Sequence, residues 1–319
     1  MADLTATVVV PTVGRAAATQ RLLSTLAEQT VEVQAIVLDN GSPDNKIREI
    51  CSEAPFATYV RFDRNLGYTR AVNEGARRAD GNTLILLNDD CACEPTYAEE
   101  LLAALDPSAG VAMASSVLID PWEPDLIDTA GVQLDGTLMV MDYLNGARLE
   151  TLDAAQDPMG PVGASAAFDR STFLEAGGFD ENIFAYWEDV DLVLRLRQSG
   201  VRCALARAAR ATHEHSATLG AGSSAKNYLM GYGRGYLLRK WKVCSPSRIG
   251  PVLVREAAVC VGQMAADRNV SGVRGRLAGF LSTDGTHEYP EELSREWSIS
   301  MREGLHARLM RRRRMKRRG

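Results

Sequence analysis

Residues 6–42, "ATVVVPTVGRAAATQRLLSTLAEQTVEVQAIVLDNGS", contain two apolar runs separated by a segment with helical spacing. The first run is β-branched and ends at Pro11, and the second ends at Asp39, so both are typical of buried strands. Between them, Leu22 and Leu26 lie one helical turn apart. Strand, helix and strand in this order predict a mainly parallel sheet with helices on both faces.

The alternation continues along the chain. The segments "TYVRF" (58–62) and "TLILLNDD" (83–90) are predicted to be strands, and "TRAVNEGARRA" (69–79) between them a helix. Residues 110–160 contain scattered prolines and glycines, which predict loops and a short hairpin over the ligand site. Beyond them we expect a helix from about 188 to 199 that stops at a glycine, and then a strand.

The composition is that of an ordinary globular protein, with 319 residues, 45% hydrophobic and 24% charged. The N-terminus has no basic segment before its apolar run, so no secretory signal is predicted. The longest apolar helix candidate begins at Ile249 but carries Arg255 and Glu256 at its middle, which argues against a membrane span. Six scattered cysteines do not form a disulfide pattern and favour a reducing, cytosolic location.

Polar side chains follow the predicted strands where each strand ends. Thr12, Asp39, Asp89 and Asp90 hold these places, and ligands of such sheets bind outside the carboxyl ends of the strands. The glycine-rich nucleotide motifs are missing from the sequence, so a bound nucleotide would need a cation to neutralise its phosphates.

Two other patterns have ordinary explanations. Cys91 and Cys93 are one residue apart without a second pair, which is not the spacing of a zinc site. The glycines Gly231, Gly233 and Gly235 lie in a helix-like segment and are predicted to serve packing.

Acidic residues begin the helix in "YWEDVDLVLR" (186–195), where the helix dipole favours carboxylates. Capping alone would explain Glu188 and Asp189. Aromatic residues directly before them, including Trp187, suit a sugar ring beside a general base. Further on, "THEHS" places His213 and His215 after a predicted strand, where a structural role is the simpler explanation.

Several motifs occur together in a known order: "VVVPTVGR" (8–15), "VLDNGSPD" (37–44), "NLGYTRAVNEGARRADGNTLILLNDD" (65–90), the segment 163–200 around "YWEDVD", and "HEHSATLG" (213–220). In this order they resemble the family 2 glycosyltransferases of GT-A fold, within the bacterial rhamnosyltransferase-like branch that builds cell-wall and surface polysaccharides.

The resemblance implies a site for a nucleotide-sugar donor. Asp39 matches the residue that hydrogen-bonds the base, with Thr12 in the same pocket. The six implied donor-binding residues are Thr12, Asp39, Asn65, Gly67, Asp89 and Asp90.

The resemblance also implies a metal and a catalytic base. Asp90 matches the aspartate that binds Mg²⁺ or Mn²⁺ on the donor diphosphate, although Asn88 replaces the first acid of the family's D-x-D element. His213 matches a second metal ligand, with His215 close enough to leave the choice open. Asp189 matches the catalytic base.

On the acceptor side, Glu188 and Trp187 are expected to contact the acceptor. Together with Asp189 these residues predict an inverting, metal-dependent transfer of a sugar, such as rhamnose from dTDP-rhamnose or a sugar from a UDP donor, to a glycan or lipid-linked acceptor. A nucleotidyltransferase and a non-catalytic glycan-binding or scaffold protein are the alternatives.

The chain is predicted to divide into a catalytic domain, residues 1–220, and a helical extension, residues 221–319. A last amphipathic helix is expected from Leu293 to Leu309. Residues 308–318 contain eight Arg or Lys, so the rest of the chain carries a net charge of −13 against −5 overall. A solvated tail without a partner is the ordinary explanation of such a run. An anionic membrane surface suits it better than nucleic acid does, and would make the protein cytoplasmic and peripheral to the membrane.

Overall fold

The computed structural model describes residues 6–214, 220, 222–296 and 298–299. The strands in chain order are β1 Ala6–Thr12, β2 Val33–Asn40, β3 Ala57–Phe62, β4 Thr83–Leu87, β5 Cys91–Cys93, β6 Val111–Ile119, β7 Ile127–Thr129, β8 Val132–Asp135, β9 Val140–Asp142, β10 Ser165–Asp169, β11 Arg202–His213 and β12 Ser298–Ile299. The α-helices are α1 Ala16–Ala27, α2 Lys46–Ser52, α3 Tyr68–Arg78, α4 Tyr97–Ala104, α5 Arg170–Glu175, α6 Glu188–Gln198, α7 Ser224–Lys240, α8 Ile249–Asp267, α9 Ser271–Leu281 and α10 Glu291–Glu296.

The main sheet of the described chain has the order β3-β2-β1-β4-β10-β6-β11-β5, with β7 beside β6. The four strands β3, β2, β1 and β4 are parallel, as their alternation with α1 to α3 predicts. Beyond β4 the sheet becomes mixed, because β10 runs antiparallel to both β4 and β6, and β5 runs antiparallel to β11. The predicted α/β sheet flanked by helices is confirmed.

Strand β1 is buried on both faces. Val9 packs with Ile36 in one apolar core, whereas Val8 and Val10 pack with Val37 in the other. Side chains of a strand alternate between faces, so a β-branched run without polar interruption suits a strand covered on both sides. The carboxyl ends of β1, β2 and β4 consequently come together at one edge.

The prediction for residues 110–160 is wrong in part. Residues 111–119 form β6, a nine-residue strand inside the main sheet, although prolines and glycines surround it. Its ladder partners β10 and β11 come from distant segments, and local sequence contains no information about them. The expected short hairpin is present as β8 and β9.

Helices α7 and α9 approach closely through glycines. A Cβ at Gly235 would lie 1.9 Å from the Arg276 carbonyl oxygen, and one at Gly279 would lie 1.9 Å from that of Tyr232. These glycines therefore serve packing, as the sequence predicts. Leu237 and Trp241 extend the same apolar core that contains Val9. The division at residue 220 remains a prediction.

The C-terminal residues differ from the expected long helix. Helix α10 ends at Glu296, and Ser298–Ile299 pair with β8. Residues 300–319, which include the basic tail, lie outside the described residues. Among the described helices, Ile249–Asp267 is long and apolar enough to cross a membrane, by length and composition alone. Only 11% of its apolar stretch is buried.

Candidate active site

Asp39 lies at the end of β2 and is fully buried. Its carboxylate accepts hydrogen bonds from the Ser42 N–H at 2.8 Å and the Tyr59 hydroxyl at 2.7 Å, and Arg61 lies 3.5 Å away. A groove lined by residues of the 61–66 segment begins at Arg61. Asp39 itself does not line this groove and contacts it through Arg61, so its role in binding a base remains a prediction.

The segment after β3 is fixed by side chains around Gly67. The side-chain Oδ1 of Asn65 accepts the Gly67 N–H at 2.9 Å, and the side-chain amide of Asn40 donates to the Gly67 backbone carbonyl at 3.0 Å. Gly67 has φ +92°, and a Cβ there would lie 2.7 Å from the Phe184 carbonyl oxygen. Only glycine allows this close approach without strain. Asn65 and Gly67 therefore join the β3 end to the turn before α6.

Asp89 and Asp90 follow β4, and both form an ion pair with the Arg15 side chain. Its guanidinium lies 2.7 Å from Asp89 Oδ1 and 3.1 Å from Asp90 Oδ2. The Thr12 hydroxyl donates to Asp89 at 2.6 Å. Arg15 was not among the predicted site residues, although it ends the "VVVPTVGR" motif directly after β1 and so carries a positional signal.

The two carboxyl groups differ in their pKa. Burial outweighs the hydrogen bond from Thr12 and raises the pKa of Asp89 to about 6. Burial also opposes ionisation of Asp90, but His213 and Arg15 outweigh it and lower the pKa of Asp90 to about 2. Asp90 therefore stays ionised to a lower pH than Asp89 does.

His213 reaches Asp90 through the antiparallel pairing of β11 with β5, which places His213 opposite Cys91. Its Nε2 atom lies 3.1 Å from Asp90 Oδ1. Potential ligand atoms of Asp90, Cys91 and His213 all lie within 4.8 Å of one another. Asp90 Oδ1 is buried, and the His213 ring is the polar group that lies beside it. The other predicted candidate, His215, lies outside the described residues.

Cys91 belongs to this cluster, whereas Cys93 does not. The Cys91 thiol contacts the Ala164 carbonyl oxygen at 3.7 Å. The spacing of the cysteines predicts no zinc site, but in the structure the Cys91 thiol lies beside Asp90.

Asp189 lies at the first turn of α6. Its Oδ2 accepts the Gly163 N–H at 2.9 Å and its Oδ1 accepts the Val190 N–H at 2.8 Å. Burial raises the pKa of Asp189, and burial together with the charge of Asp189 raises the pKa of Glu188. Glu188 Oε2 is buried and finds no hydrogen-bond partner among the described residues. A raised pKa makes a carboxylate a better proton acceptor.

The acidic pair and the α6 carboxylates are linked by two residues. Ala164 accepts the Asn88 N–H through its carbonyl at 3.0 Å, and Gly163 donates its N–H to Asp189. The Tyr68 hydroxyl donates to the Gly163 carbonyl. Segment 163–164 therefore holds both groups of carboxylates at one edge of the sheet.

The turn before α6 is shaped by α7. Tyr186 and Trp187 have φ of +70° and +80°, a region that non-glycine residues seldom occupy. The Trp187 indole N–H donates to the Met230 carbonyl at 3.0 Å, and a Cβ at Gly233 would lie 2.4 Å from the Tyr186 carbonyl oxygen. The Trp187 side chain is 8% exposed, so it packs against α7 and leaves an acceptor little of its ring.

Residues 7–124 match the family model described as Glycosyl transferase family 2. This part of the chain is a family 2 glycosyltransferase domain. A curated relative of the chain is N-acetylglucosaminyl-diphospho-decaprenol L-rhamnosyltransferase of Mycobacterium tuberculosis, 29% identical over 57% of the chain and 66% of the relative. Another is validoxylamine A glucosyltransferase of Streptomyces hygroscopicus, 29% identical over 63% of the chain and 53% of the relative.

Solved structures with a similar fold are also glycosyltransferases. GalNAc-T7, solved with UDP, GalNAc and Mn²⁺, has a TM-score of 0.60 at 17% identity, over 75% of this chain and 48% of that one. The mannosyltransferase PcManGT of Pyrobaculum calidifontis, with GDP-Man and Mn²⁺, has a TM-score of 0.53 at 18% identity, over 88% and 76%. The fold of this chain is therefore GT-A. The family match supports sugar transfer over nucleotidyl transfer, and it does not separate a catalytic from a non-catalytic member of the family.

Proposed function

We propose that the protein transfers a sugar from a nucleotide-sugar donor to a hydroxyl group, with inversion at the anomeric carbon. The observation that carries this proposal is the pairing of two sets of carboxylates across segment 163–164. Asp89 and Asp90 form one set with Thr12, at the donor side. Glu188 and Asp189 form the other, at the side where an acceptor hydroxyl would approach.

On the acceptor side, Asp189 is the proposed general base. Backbone N–H groups from Gly163 and Val190 fix both of its oxygens, so the carboxylate has a defined direction. Its raised pKa favours uptake of the proton of the attacking hydroxyl. The unpartnered Oε2 of Glu188 is available to hydrogen-bond an acceptor hydroxyl. Trp187 would contribute to the acceptor site mainly by fixing the turn that carries Glu188.

On the donor side, Asp39 would hydrogen-bond the base, while Thr12, Asn65, Gly67 and Asp89 would shape the remainder of the pocket. Asp90 and His213 would hold Mg²⁺ or Mn²⁺, and their geometry fits an oxygen- and nitrogen-ligated ion.

The bound ion would supply charge stabilisation for the departing diphosphate. Arg15 already lies between the two aspartates and adds positive charge at the same place. The solved similar structures contain Mn²⁺, which supports the cofactor assignment without choosing between the two metals.

The substrate class is proposed from the relatives. The mycobacterial relative is named for rhamnosyl transfer to a decaprenol-linked acceptor, and the chain spans about two thirds of it. We assign this protein a lipid-linked or glycan acceptor in cell-wall or surface polysaccharide synthesis, with dTDP-rhamnose or a UDP-sugar as donor. Residues 1–220 would form the catalytic domain and residues 221–319 a helical extension. The location would be cytoplasmic, peripheral to the membrane.

The variant Asp189→Asn tests the base. Asparagine keeps the size of the side chain but accepts no proton, so we expect turnover to fall by about a hundredfold to ten-thousandfold. Nucleotide binding, measured by calorimetry with UDP, dTDP and GDP in the presence of Mn²⁺, should stay unchanged. A matched control is Asp153→Asn, an exposed aspartate in the 149–154 turn. Unchanged turnover in Asp189→Asn would remove this residue from the mechanism.

A further inference from the structure

Helix α8 turns an apolar surface outward. Its exposed residues recur in pairs along the helix and all are glycine, proline or aliphatic: Gly250, Pro251, Leu253, Val254, Ala257, Ala258, Val261, Gly262, Ala265 and Ala266. Leu253 and Val254 are each 60% exposed and Val261 is 61% exposed. This set is called the outer face of α8. A surface helix of a globular protein normally presents polar residues to water, so α8 is oriented the opposite way.

The charged residues of α8 point inward instead. Arg255 is 2% exposed and its guanidinium lies 3.0 Å from Asp135 of β8. Glu256 pairs with Arg234 of α7 at 2.7 Å and with Arg276 of α9 at 2.8 Å. Breaking buried pairs of this kind leaves uncompensated charges and is strongly unfavourable. These contacts fix α8 to the protein and argue against its leaving to cross a bilayer.

Helix α9 adds a second exposed apolar stripe. Val273, Leu277 and Leu281 follow one another at helical spacing and are 40%, 62% and 73% exposed. The opposite side of α9 packs on α7 through glycines, which leaves the stripe outward. Exposed apolar surface on two neighbouring helices is unusual in a protein that contacts water alone.

The charges around this surface indicate its partner. Between residues 246 and 282, the charged residues that are exposed are Arg268 and Arg274, both positive. Anionic lipid head groups would complement these arginines, whereas the same surface of a second copy offers them no exposed acid between these residues. The eight Arg or Lys of residues 308–318 lie in the same C-terminal part of the sequence.

We propose that the outer face of α8, with the stripe of α9, lies in the head-group and upper acyl region of an anionic bilayer and holds the enzyme on the membrane without spanning it. A helix of this length is about 28 Å long and can lie flat in the interface. The inference extends the proposed lipid-linked acceptor, because it would keep the active site at the membrane surface.

Vesicle flotation of the full chain tests the proposal without any sugar transfer, so the proposed function and this inference can fail separately. We expect binding to vesicles of phosphatidylcholine with an equal amount of phosphatidylglycerol, and weaker binding to phosphatidylcholine alone. The double variant Val254→Glu/Val261→Glu should lower the partition coefficient about tenfold or more, since two exposed valines would no longer enter the apolar region. Leu277→Glu/Leu281→Glu provides a second variant if the first does not fold.

The matched control is Ser24→Glu/Ala27→Glu, which adds the same charge at exposed positions of α1. It should bind as the wild type does. Deletion of residues 308–319 separates the tail from the helices, and we expect residual binding in the deletion form. Binding that is lost with the tail but unchanged in both glutamate variants would overturn the proposal. A wild-type dimer in analytical ultracentrifugation that the glutamate variants dissociate, with no vesicle binding, would assign the face to self-association instead.

Discussion

The surroundings of Asp90 come from three segments that are distant in the sequence. The strand β4 delivers it to the sheet edge, Arg15 from the β1 end lies 3.1 Å from one oxygen, and His213 of β11 lies 3.1 Å from the other. A single carboxylate is a weak site for a divalent ion, because such ions are held by several ligands. The structure supplies the His213 imidazole as a second potential ligand beside Asp90 Oδ1.

This geometry predicts that metal binding depends on Asp90 and His213. We expect Asp90→Asn and His213→Ala each to weaken Mn²⁺ binding about tenfold or more, because each removes a ligand from a small set. Titration of the protein with Mn²⁺, followed by electron paramagnetic resonance in the presence of UDP, measures this.

The control is Cys91→Ala, whose thiol borders the same cluster. Mg²⁺ and Mn²⁺ prefer oxygen and nitrogen ligands to sulfur, so this variant should bind Mn²⁺ as the wild type does. Loss of binding in Cys91→Ala would instead indicate a site for a softer metal.

For single residues, the sequence predicts their positions at strand ends better than it predicts which distant side chains they contact. The places of Thr12, Asp39 and Asp90 at strand ends follow from the local pattern of each strand. Arg15 lies between the two aspartates because α1 begins just beyond it, and no spacing in the sequence indicates that contact. The burial of Trp187 depends on α7, which lies more than thirty residues further along the chain.

At the scale of elements, the glycines of α7 divide between two partners. Gly231 and Gly235 face α9, whereas Gly233 faces the turn that carries Tyr186 and Trp187. Alternate glycines in one helix thus allow α7 to touch a second helix on one side and the active-site turn on the other. The sequence predicts a packing role, but which partner each glycine meets depends on the tertiary arrangement.

The variant Gly235→Ala should destabilise the protein. Its Cβ would lie 1.9 Å from the Arg276 carbonyl oxygen, so the two helices must separate, at a cost of roughly 1–3 kcal/mol. Thermal unfolding followed by circular dichroism should show a clearly lower Tm.

Gly262→Ala of α8 is the comparison, because its Cβ would have no atom within 4 Å. Alanine is the better helix former by up to about 1 kcal/mol, so this variant should be as stable as the wild type or slightly more stable. An equal or higher Tm in Gly235→Ala would contradict the close packing of α7 on α9.

The strand pattern was harder to predict beyond β4. The four parallel strands follow from local alternation, since a helix returns the chain to the same end of the sheet between each of these strands and the next. Strand β6 lies between β10 and β11, and all three are brought together by pairings across long stretches of chain. Neighbouring prolines and glycines made its own segment resemble a loop.

At the scale of the whole molecule, buried ion pairs join the catalytic part to the C-terminal helices. Lys240 of α7 lies 2.7 Å from Asp180 and 2.9 Å from Asp191. Asp191 is fully buried in α6, two residues after the proposed base, and also accepts from the Trp241 indole at 3.0 Å. This acid is therefore structural.

The pair of Asp180 with Lys240 predicts that the free energy of unfolding falls at acidic pH. Burial opposes ionisation of this aspartate, but the hydrogen bond and charge of Lys240 outweigh burial and lower the pKa of Asp180 to about 2 from the ordinary 3.8. A lowered folded-state pKa stabilises the protein above the unfolded pKa, so this contribution is complete above about pH 4 and is lost as pH falls towards 2. After allowance for solvent screening of a partly exposed pair, we expect it to be on the order of 1 kcal/mol.

Urea unfolding of wild type and Asp180→Asn at several pH values measures the contribution. The difference in unfolding free energy between the two proteins should be largest near neutral pH and should shrink between about pH 4 and pH 2. A difference that is constant or grows on acidification would contradict the assigned pair with Lys240.

Lys240 has a consequence for any shortened form of this enzyme. A polypeptide that stops at Gly220 would keep the proposed base, both aspartates after β4 and His213, so every proposed catalytic group would be encoded. Yet Asp191 would lose the counter-charge of Lys240 and the indole of Trp241, and the ring of Trp187 would lose its cover. Arg195 of α6 would still pair with Asp191 at 2.9 Å. The segment that carries all of the proposed chemistry thus holds one of the two cations that neutralise this buried acid, and the part of the chain that carries none of that chemistry holds the other.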